Sequence, residues 1–389
     1  MKILVITPYI SSIYGGIATV VTEIVKEFGV LDISIDLITT HANESDALDV
    51  PLNTWISCHG YRVRYFASWN INDFIISSSL IYWLFKYVTE YDLVHTHAIF
   101  SPLISTAQKI CQFHNVPYLV TPHGMLEPWA LDYKAWKKKI YYQFLENSTL
   151  NNAVAVQALT IAESNQLKAL GFNNTVVVPN GICRQDFEHP SDPETFYQHF
   201  PGTRNKILIL FLGRLDPKKG LDLLAPAFAK VHHLFPQTHL VIAGPDSIGF
   251  LPTVEKYFSQ AGCLDATTVT GMITGSLKSA ALAAADLYVA PSYSEGFSVS
   301  VLEAMVSGLP CVITTSCNFP EAATAHAAHV VEISADAIAN TLIHCLKYPD
   351  EAKDMGDRAR QLIIENYTWD KIAIQMIEVY QSILDRQPA

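Results

Sequence analysis

The sequence predicts an α/β protein made of two doubly wound parallel sheets, each in a domain of its own. The chain has 389 residues, which is too long for one ordinary hydrophobic core and suits two domains. Short apolar runs alternate with longer helical patterns in both halves, as in parallel sheets whose strands are joined by helices. A polar stretch rich in Pro, Asp and His, residues 184–205, separates the halves and predicts a linker.

The first half, residues 1–183, contains apolar runs of strand length that are followed by turn residues or by a helical pattern. Strands are expected over residues 2–7, 33–39, 62–66, 93–97, 117–121, 153–158 and 176–178. Helices are expected over residues 17–28, 73–89, 129–150 and 160–170. This alternation predicts the first parallel sheet.

The second half, residues 206–369, repeats the alternation and predicts the second sheet. Strands are expected over residues 206–212, 239–244, 268–271, 286–290, 311–314 and 330–333. Helices are expected from residue 221, over residues 298–306, and from residues 335, 351 and 369.

Composition and charge exclude several classes of protein. The net charge of −11 argues against nucleic acid as the main partner, because nucleic-acid-binding domains are basic. Seven cysteines, an odd number with no Cys-x-x-Cys pair, indicate reduced thiols. The apolar part of the N-terminus is too short for a signal peptide, and residues 74–88 fall short of a membrane-spanning helix. We therefore expect a cytoplasmic protein.

Residues 286–306 form a predicted strand–loop–helix unit that carries two carboxylates, Glu295 in the loop and Glu303 in the helix. The neighbours of Glu303 are apolar, so its carboxylate is expected to be buried and to need hydrogen-bond donors. A ligand rich in hydroxyls would supply them, and the helix N-terminus favours an anion. The structural alternative is a capping loop followed by a salt-bridged glutamate.

In each half, one glycine-containing loop follows the first strand. Arg214 and Lys219 lie between a strand and a helix N-terminus, where two cations and free N–H groups make a diphosphate site. A solvated basic turn is the alternative. Gly15 and Gly16 open the first helix and would let the backbone approach a ligand, although a plain flexible turn has the same pattern.

Three histidines follow or end strands in the first half. His95 and His97 point to the same side of their strand, but no carboxylate or cysteine cluster nearby completes a metal site. We therefore expect no metal. His123 lies at the carboxyl end of the next strand, where open α/β sheets bind ligands. A satisfied core histidine is the alternative.

The predicted helix over residues 129–150 is basic and aromatic. Its lysines and aromatic residues are interleaved: Lys134, Trp136, Lys137, Lys138, Lys139, Tyr141, Tyr142 and Phe144. Such a helix can lie on an anionic membrane surface. It can equally be a solvated face over a core stripe.

The stretch with Glu295 and Glu303 and the loop with Arg214 and Lys219 together resemble the motifs of a known family. Glu295 and Glu303 are separated by seven residues and stand in the runs Glu-Gly-Phe and Leu-Glu-Ala-Met. With Gly-Arg at Arg214 and Lys-Gly at Lys219, these runs resemble the signatures of the retaining family 4 glycosyltransferases, enzymes of the GT-B fold. His123, in Thr-Pro-His-Gly-Met, is a softer match. The resemblance covers nearly the whole chain.

This resemblance implies two Rossmann-like domains that face each other across a cleft. Residues 1–183 would bind the acceptor, and residues 206–369 would bind the nucleotide sugar. The last helix, residues 370–389, would pack back on the first domain.

The implied reaction moves a hexosyl group from a nucleotide-diphosphate sugar to a hydroxyl of a glycan or lipid-linked acceptor, with retention at the anomeric carbon. Such a transfer serves cell-surface polysaccharide or glycolipid biosynthesis and uses no cofactor. The sequence contains no Asp-x-Asp, which argues against a metal-dependent donor site. Cations would stabilise the leaving diphosphate instead. A lipid-linked acceptor would place the enzyme at the inner face of the membrane.

The resemblance also implies the role of each site residue. Glu295 and His123 would be the catalytic contacts, with His123 on the sugar or the acceptor. The donor would be bound by Gly16, Arg214, Lys219, Phe297, Ser298 and Glu303, with the ribose on Glu303 and backbone N–H groups from 297 and 298. Gly15 and Gly16 would lie beside the diphosphate or the acceptor. Ser298 stands where the family commonly has glycine, and serine caps helices well.

Two other functions fit the same architecture. One is a nucleotide-sugar epimerase or hydrolase, although epimerases of this fold lack the Glu-Gly-Phe and Leu-Glu-Ala-Met runs. The other is a non-catalytic nucleotide-sugar-binding protein, against which the set of Glu295, Arg214, Lys219 and His123 argues.

Overall fold

The computed structural model describes residues 1–31, 33–44, 46–58, 60–71, 74–126, 141, 145–188 and 191–386. These residues divide into two compact units. The first comprises Met1–Gly181 and Trp369–Ala389, and the second comprises Ile182–Thr368. The α/β fold class with two parallel sheets is confirmed.

The first unit is built on an eight-stranded sheet in the order β12-β11-β10-β9-β1-β2-β6-β5. Its strands are β1 (Lys2–Ile6), β2 (Ser34–Thr40), β5 (Trp55–Ser57), β6 (Arg62–Phe66), β9 (Leu93–His97), β10 (Tyr118–Thr121), β11 (Ala155–Ala158) and β12 (Thr175–Val177). All pairs are parallel except β5 with β6. Two small antiparallel pairs lie beside this sheet, β3 (Ala42–Asn43) with β4 (Asp46–Ala47), and β7 (Trp69–Ile71) with β8 (Phe74–Ile76).

The first unit contains five helices between its strands and the last helix of the chain, among the described residues. They are α1 (Gly16–Val30), α2 (Ser78–Tyr87), α3 (Pro102–His114), α4 (Asn147–Asn151) and α5 (Ile161–Ala169), together with the last helix of the chain, Trp369–Asp385. Apolar strand residues such as Leu4, Val94, Val120 and Val156 are buried in one core cluster.

The second unit has a six-stranded parallel sheet in the order β15-β14-β13-β16-β17-β18. Its strands are β13 (Ile207–Leu212), β14 (Thr238–Ala243), β15 (Thr267–Gly271), β16 (Leu287–Ala290), β17 (Cys311–Thr314) and β18 (His329–Val331). Its helices are α6 (Glu194–His199), α7 (Leu221–Leu234), α8 (Leu251–Gln260), α9 (Gly275–Ala284), α10 (Val299–Val306), α11 (Pro320–Thr324), α12 (Ala335–Lys347) and α13 (Pro349–Asn366). The last helix, Trp369–Asp385, is α14. Ile209, Leu240, Val289 and Val312 belong to the core of this unit.

The strand order reverses once in each sheet, at the position called here the switch point. In the first sheet the switch point lies between β1 and β9, and in the second sheet between β13 and β16. Loops that leave the carboxyl ends of the two strands at such a point diverge and open a crevice that binds ligands. The loops that follow β13 and β16 are those with Arg214, Lys219 and Glu295.

Several expected elements differ from the structure. The helix expected over residues 73–89 begins later, because β8 forms a hairpin with β7 before α2 starts. Helix α3 was not expected at all. The stretch 184–205, expected as a linker, lies in the second unit, where α6 contacts α9.

The basic aromatic helix expected over residues 129–150 falls largely outside the described residues. Among the helices that are described, none combines the length and the apolar character needed to cross a membrane. All seven cysteines are free.

Candidate functional site

The candidate site of the second unit is formed by two neighbouring loops, residues 213–220 after β13 and residues 291–298 after β16. The backbone N–H of Tyr293 donates to the carbonyl of Lys218 at 2.7 Å and ties the loops together. Gly220 has a φ of 69°, and a Cβ on it would lie 2.0 Å from the Pro291 carbonyl oxygen. Only glycine therefore allows the loops to come this close.

The Glu295 carboxylate is buried between these loops and is held by two donors. Lys219 Nζ lies 2.5 Å from Glu295 Oε1, and Ser292 Oγ donates to the same oxygen at 2.7 Å. The Glu295 backbone is fixed as well, because its N–H donates to Ser316 O and its carbonyl accepts from Asn318 Nδ2. The structure thus joins two residues that are 76 positions apart in the sequence.

The charge state of Glu295 follows from its neighbours. Burial opposes ionisation of the carboxyl, but the charges of Lys219 and Lys218 and the hydrogen bonds from Lys219 and Ser292 outweigh it. The pKa of Glu295 is therefore lowered below its ordinary value. The site holds an ionised carboxylate at neutral pH.

Three cations lie in the loop that packs against this carboxylate. Arg214 is exposed at the end of β13, and Lys218 and Lys219 are partly buried in the same loop. Burial lowers the pKa of Lys218, and the charges of Lys219 and Arg214 lower it further, although Glu295 opposes this. Two carboxylates, those of Glu295 and Asp216, beside three cations leave a local excess of positive charge, which suits an anion.

Glu303 lies on α10, whose other residues are mostly buried. The apolar neighbours of Glu303 predict that a ligand supplies its hydrogen-bond donors. In the structure, Lys278 of α9 supplies one, because its Nζ donates to Glu303 Oε1 at 2.6 Å. Glu303 is therefore salt-bridged within the protein, which was the structural alternative to a ligand. Nothing in the sequence pattern marks Lys278, which lies 25 residues before its partner.

Phe297 and Ser298 join the Glu295 loop to α10. The Phe297 ring is buried against the rings of Phe319 and Tyr367, with centroid distances of 5.0 and 5.6 Å. Ser298 is the N-cap residue of α10, but its side chain makes no cap hydrogen bond. Its Oγ lies 3.1 Å from Ser300 Oγ instead, so the expectation of a capping serine is wrong in its detail.

Gly15 and Gly16 lie at the switch point of the first sheet, between β1 and α1. Gly15 is the N-cap of α1 and has a φ of 77°, in the left-handed region that favours glycine. Gly16 is exposed, and a Cβ built on it would meet nothing within 4 Å. Gly15 is therefore explained by the backbone alone, whereas Gly16 has open space beside it.

His123 follows β10 and adopts a left-handed backbone conformation, with a φ of 56°. Its Nε2 lies 3.0 Å from His97 Nδ1, and burial lowers the pKa of His123 to about 3. The rings of His95 and His97 lie 4.1 Å apart, so the expectation that they share one side of the strand is confirmed. The described residues contain no group of three or more His, Cys, Asp or Glu side chains that could hold a metal ion.

Glu163 positions the loop that carries His123, a role that the sequence analysis missed. Its carboxylate is buried and accepts from the backbone N–H of Gly124 at 2.8 Å and of Leu159 at 2.7 Å. Burial raises the pKa of Glu163, although these two hydrogen bonds oppose the rise. The pattern Thr160-x-x-Glu163 is a capping-box signal that marks the helix start but not the contact to Gly124.

Two sequence models of known families match the chain. The model described as "Glycosyl transferases group 1" matches residues 195–362, which include both loops of the second unit. The model described as "Glycosyltransferase Family 4" matches residues 14–185, which include Gly15, Gly16 and His123. The chain belongs to the family 4 (group 1) glycosyltransferases. The resemblance seen in the sequence is confirmed.

Curated relatives of this glycosyltransferase agree with the assignment. A phosphatidyl-myo-inositol mannosyltransferase of Mycobacterium tuberculosis is 29% identical over 227 residues, which are 56% of this chain and 56% of the relative. The chain thus spans little more than half the length of that relative. An α-maltose-1-phosphate synthase of Mycolicibacterium smegmatis is 24% identical over 75% of this chain and 79% of its own.

Solved structures show the fold of the whole chain. Sucrose-phosphate synthase from Thermosynechococcus elongatus matches with a TM-score of 0.79 and 20% identity, over 99% of this chain and 100% of that one. Anabaena HepE in complex with UDP and glucose matches with a TM-score of 0.77 and 20% identity, over 98% of this chain and 100% of its own. The expected GT-B fold is confirmed.

Proposed function

We propose that this protein is a retaining glycosyltransferase that moves a hexosyl group from a nucleotide-diphosphate sugar to a hydroxyl of a glycan or lipid-linked acceptor. The observation that carries the proposal is the buried Lys219–Glu295 pair at the switch point of the second sheet, beside the exposed Arg214. These residues lie in the region matched by the group 1 family model.

The leaving group of this reaction is a nucleoside diphosphate, which gains negative charge as the glycosidic bond breaks. Arg214 and Lys219 would stabilise that charge, together with the free N–H groups at the start of α10, formed by residues 299–306. These cations allow the reaction to proceed without a metal ion or another cofactor.

Glu295 would accept hydrogen bonds from the donor sugar. Because its pKa is lowered, the carboxylate is charged at neutral pH and would also favour the positive charge that develops at the anomeric carbon. Phe297 and Ser298 would offer backbone N–H groups, and Glu303, steadied by Lys278, would bind the ribose hydroxyls. The roles of Gly15, Gly16 and His123 in binding sugar or acceptor remain predictions from the family resemblance.

The relatives narrow the choice of substrates. A curated relative is named as a mannosyltransferase that acts on phosphatidyl-myo-inositol, and HepE was solved with UDP and glucose. We propose a hexose donor carried by a nucleoside diphosphate, with UDP the first to test, and a role in cell-surface polysaccharide or glycolipid biosynthesis. A lipid-linked acceptor would require peripheral contact with an anionic membrane at its cytoplasmic face. Nucleic acid is not a proposed partner, given the net charge of −11.

The test is transfer by the purified protein from UDP- and GDP-hexoses to polyprenyl, phosphoinositide and oligosaccharide acceptors, with EDTA present. The expected result is a product whose anomeric configuration, read by proton NMR, equals that of the donor, and no product with Arg214→Ala. An inverted product would contradict the retaining mechanism. Conversion of the donor without an acceptor, to free sugar or to an epimer, would favour the hydrolase or epimerase alternative.

A further inference from the structure

Three histidines of the first unit form one cluster, called here the histidine cluster, in which His95 and His97 are buried and His123 is half-buried. The His95 and His97 rings are tilted against each other with centroids 4.1 Å apart, and the His97 and His123 rings stack at 5.3 Å. His97 Nδ1 and His123 Nε2 lie 3.0 Å apart, within hydrogen-bond distance. The cluster therefore links the ends of β9 and β10.

The proton positions on His95 follow from its partners. Thr121 Oγ1 donates its hydrogen to Gln157 Oε1 at 2.6 Å, so it must accept from His95 Nε2, which lies 2.7 Å away. Neutral imidazole carries one proton, and His95 Nδ1 is then an acceptor for the Tyr380 hydroxyl, 2.6 Å away. His95 is thus fixed as the Nε2–H tautomer, and its orientation is set by α14.

His97 is constrained in a different way. It is 2% exposed, and its Nε2 has no hydrogen-bond partner in the part of the chain that the structure describes. If Nε2 carried the proton, a buried N–H would lack an acceptor, and such orphan donors are rarer in folded proteins than orphan acceptors. The proton therefore belongs on Nδ1, where it can be donated to His123 Nε2.

We infer that His97 is a positioning residue that donates its Nδ1–H to His123 Nε2 and thereby holds His123 as the Nδ1–H tautomer. His123 then presents a hydrogen-bond donor to its ligand, rather than a base. Burial lowers the pKa of all three histidines, so the cluster is neutral at pH 7 and the tautomers are well defined.

The consequence for function rests on the proposed glycosyltransferase reaction. A neutral Nδ1–H suits a sugar hydroxyl or a phosphate oxygen as its acceptor, and it cannot remove a proton from the attacking hydroxyl. His97, which touches no reacting atom in this account, acts only through His123. Outer partners that orient metal-ligating histidines change metal affinity or activity by about 10- to 100-fold when they are removed, and we expect an effect of the same order here.

The direct test is the tautomeric state of the ring nitrogens, measured by NMR on protein labelled with ¹⁵N only in histidine, at pH 7.5. His97→Asn and His123→Asn assign the two signals of interest by their loss. The expected result is a protonated Nδ1 and an unprotonated Nε2 on both residues. A protonated Nε2 on His123 would overturn the inference.

Two variants of His97 distinguish its hydrogen bond to His123 from its contribution to packing. In His97→Asn the amide nitrogen stands near the position of Nδ1 and can still donate, so His123 should keep its tautomer. In His97→Leu the donor is lost, and His123 should become a mixture of tautomers. His233→Leu, an exposed histidine on α7, is the matched control and should leave the His123 signal unchanged.

Kinetics supply the second readout. His97→Leu should lower kcat about 10- to 100-fold with a smaller change in the KM for the donor. His97→Asn should recover most of that loss. Equal activity of wild type and a folded His97→Leu variant would overturn the positioning role. An inactive wild type would instead contradict the proposed function, while the NMR result would still decide the tautomer.

Discussion

At the scale of single residues, the two principal cations of the second unit differ in how much the fold depends on them. Arg214 is exposed, whereas Lys219 is buried in an ion pair with Glu295, with side-chain exposures of 12% and 8%. A change at Arg214 should therefore affect ligand binding alone. A change at Glu295 should affect both binding and folding, because a buried charge that loses its partner is costly.

We predict that Arg214→Ala lowers kcat/KM at least 100-fold and leaves the free energy of unfolding within about 0.5 kcal/mol of wild type. Steady-state kinetics and thermal unfolding measure the two effects. Lys256→Ala, an exposed cation on α8, is the matched control and should change neither. Full activity of Arg214→Ala would contradict its assignment to the diphosphate.

For Glu295→Gln, we predict loss of activity together with destabilisation of about 3 kcal/mol, because Lys219 stays buried without an opposite charge. The double variant Lys219→Met with Glu295→Gln should regain much of the stability but none of the activity. Chemical unfolding of the second unit in Lys219→Met, Glu295→Gln and the double variant completes a double-mutant cycle. Independent, additive effects of the two substitutions would show that the pair is not coupled.

At the scale of elements, the contact between the two site loops depends on one glycine. A Cβ on Gly220 would clash with the Pro291 carbonyl, and the φ of 69° adds strain for any L-residue. We predict that Gly220→Ala costs at least 2 kcal/mol of stability and weakens nucleotide binding. Gly262 has a φ of 73° and open space around it, so Gly262→Ala introduces the backbone strain without the clash. It should cost about 1 kcal/mol. Equal costs in the two variants would exclude the clash.

Helix α14 is tied to the first sheet by a hydrogen bond from Tyr380 to His95. Because both groups are buried, Tyr380→Phe leaves His95 Nδ1 without a donor, and we predict a loss of about 1–3 kcal/mol in the stability of the first unit. Tyr82→Phe, at an exposed tyrosine of α2, should be neutral. A neutral Tyr380→Phe would mean that the hydroxyl contributes nothing to anchoring the helix.

Elements with strong apolar periodicity could be predicted from the sequence, and elements set by tertiary contacts could not. The strands of the second switch point are predicted by continuous apolar runs, as in Leu287–Ala290, whereas Leu93–His97 has only two apolar residues before its histidines. Helix α3 does carry apolar residues at helical spacing, Leu103, Ala107, Ile110 and Cys111, but Ser105, Gln108 and Lys109 interrupt the run. The hairpin of β7 and β8 was hidden because its apolar residues run into those of α2.

The candidate site was predicted to the extent that its residues lie in local motifs. Arg214, Lys219, Glu295 and Glu303 stand in short runs with recognisable spacing, whereas their partners do not. Lys278 and Glu163 are joined to the site only by the fold, 25 and 39 residues from the groups that they hold. Contacts over such distances depend on which strands become neighbours, and sequence spacing does not determine that.

At the scale of the whole molecule, buried histidines make stability depend on pH. The folded-state pKa values of His95 and His123 are about 3, below the ordinary value of 6.5, so the unfolded chain binds protons that the folded protein does not. Each group therefore removes up to about 1.4 kcal/mol of stability per pH unit as the pH falls below 6.5. Buried Glu146 and Glu163, whose pKa values are raised above the ordinary value of 4.5, act in the opposite direction.

We predict that His123→Asn reduces the slope of stability against pH between pH 6 and pH 4.5 by about 1.4 kcal/mol per unit, because one such group is removed. The difference between variant and wild type cancels the carboxyl contributions. Urea unfolding at several pH values measures it, with His233→Asn as the exposed control. An unchanged slope would mean that His123 is protonated as readily in the folded protein as in the unfolded chain.

Both units use the same architecture, a parallel sheet whose strand order reverses once, but they place different chemistry at the reversal. The second unit has cations around an ionised carboxylate, Glu295, whereas the first has glycines at residues 15 and 16 and a neutral histidine cluster nearby. Among the described residues at the two reversals, those of the second unit carry the positive charge that suits a diphosphate. We therefore propose to assign the nucleotide to that unit.

The measurement that tests this assignment most directly is the thermal stability of the purified protein with UDP, GDP, ADP and dTDP, each with EDTA, compared with that of Arg214→Ala. A ligand at 100 times its dissociation constant adds about 2.7 kcal/mol of stability. We predict that one of these nucleotides raises the unfolding temperature of the wild type and that Arg214→Ala abolishes the rise. Absence of a rise with all four nucleotides, or an equal rise in the variant, would contradict a diphosphate site formed by Arg214, Lys219 and Glu295.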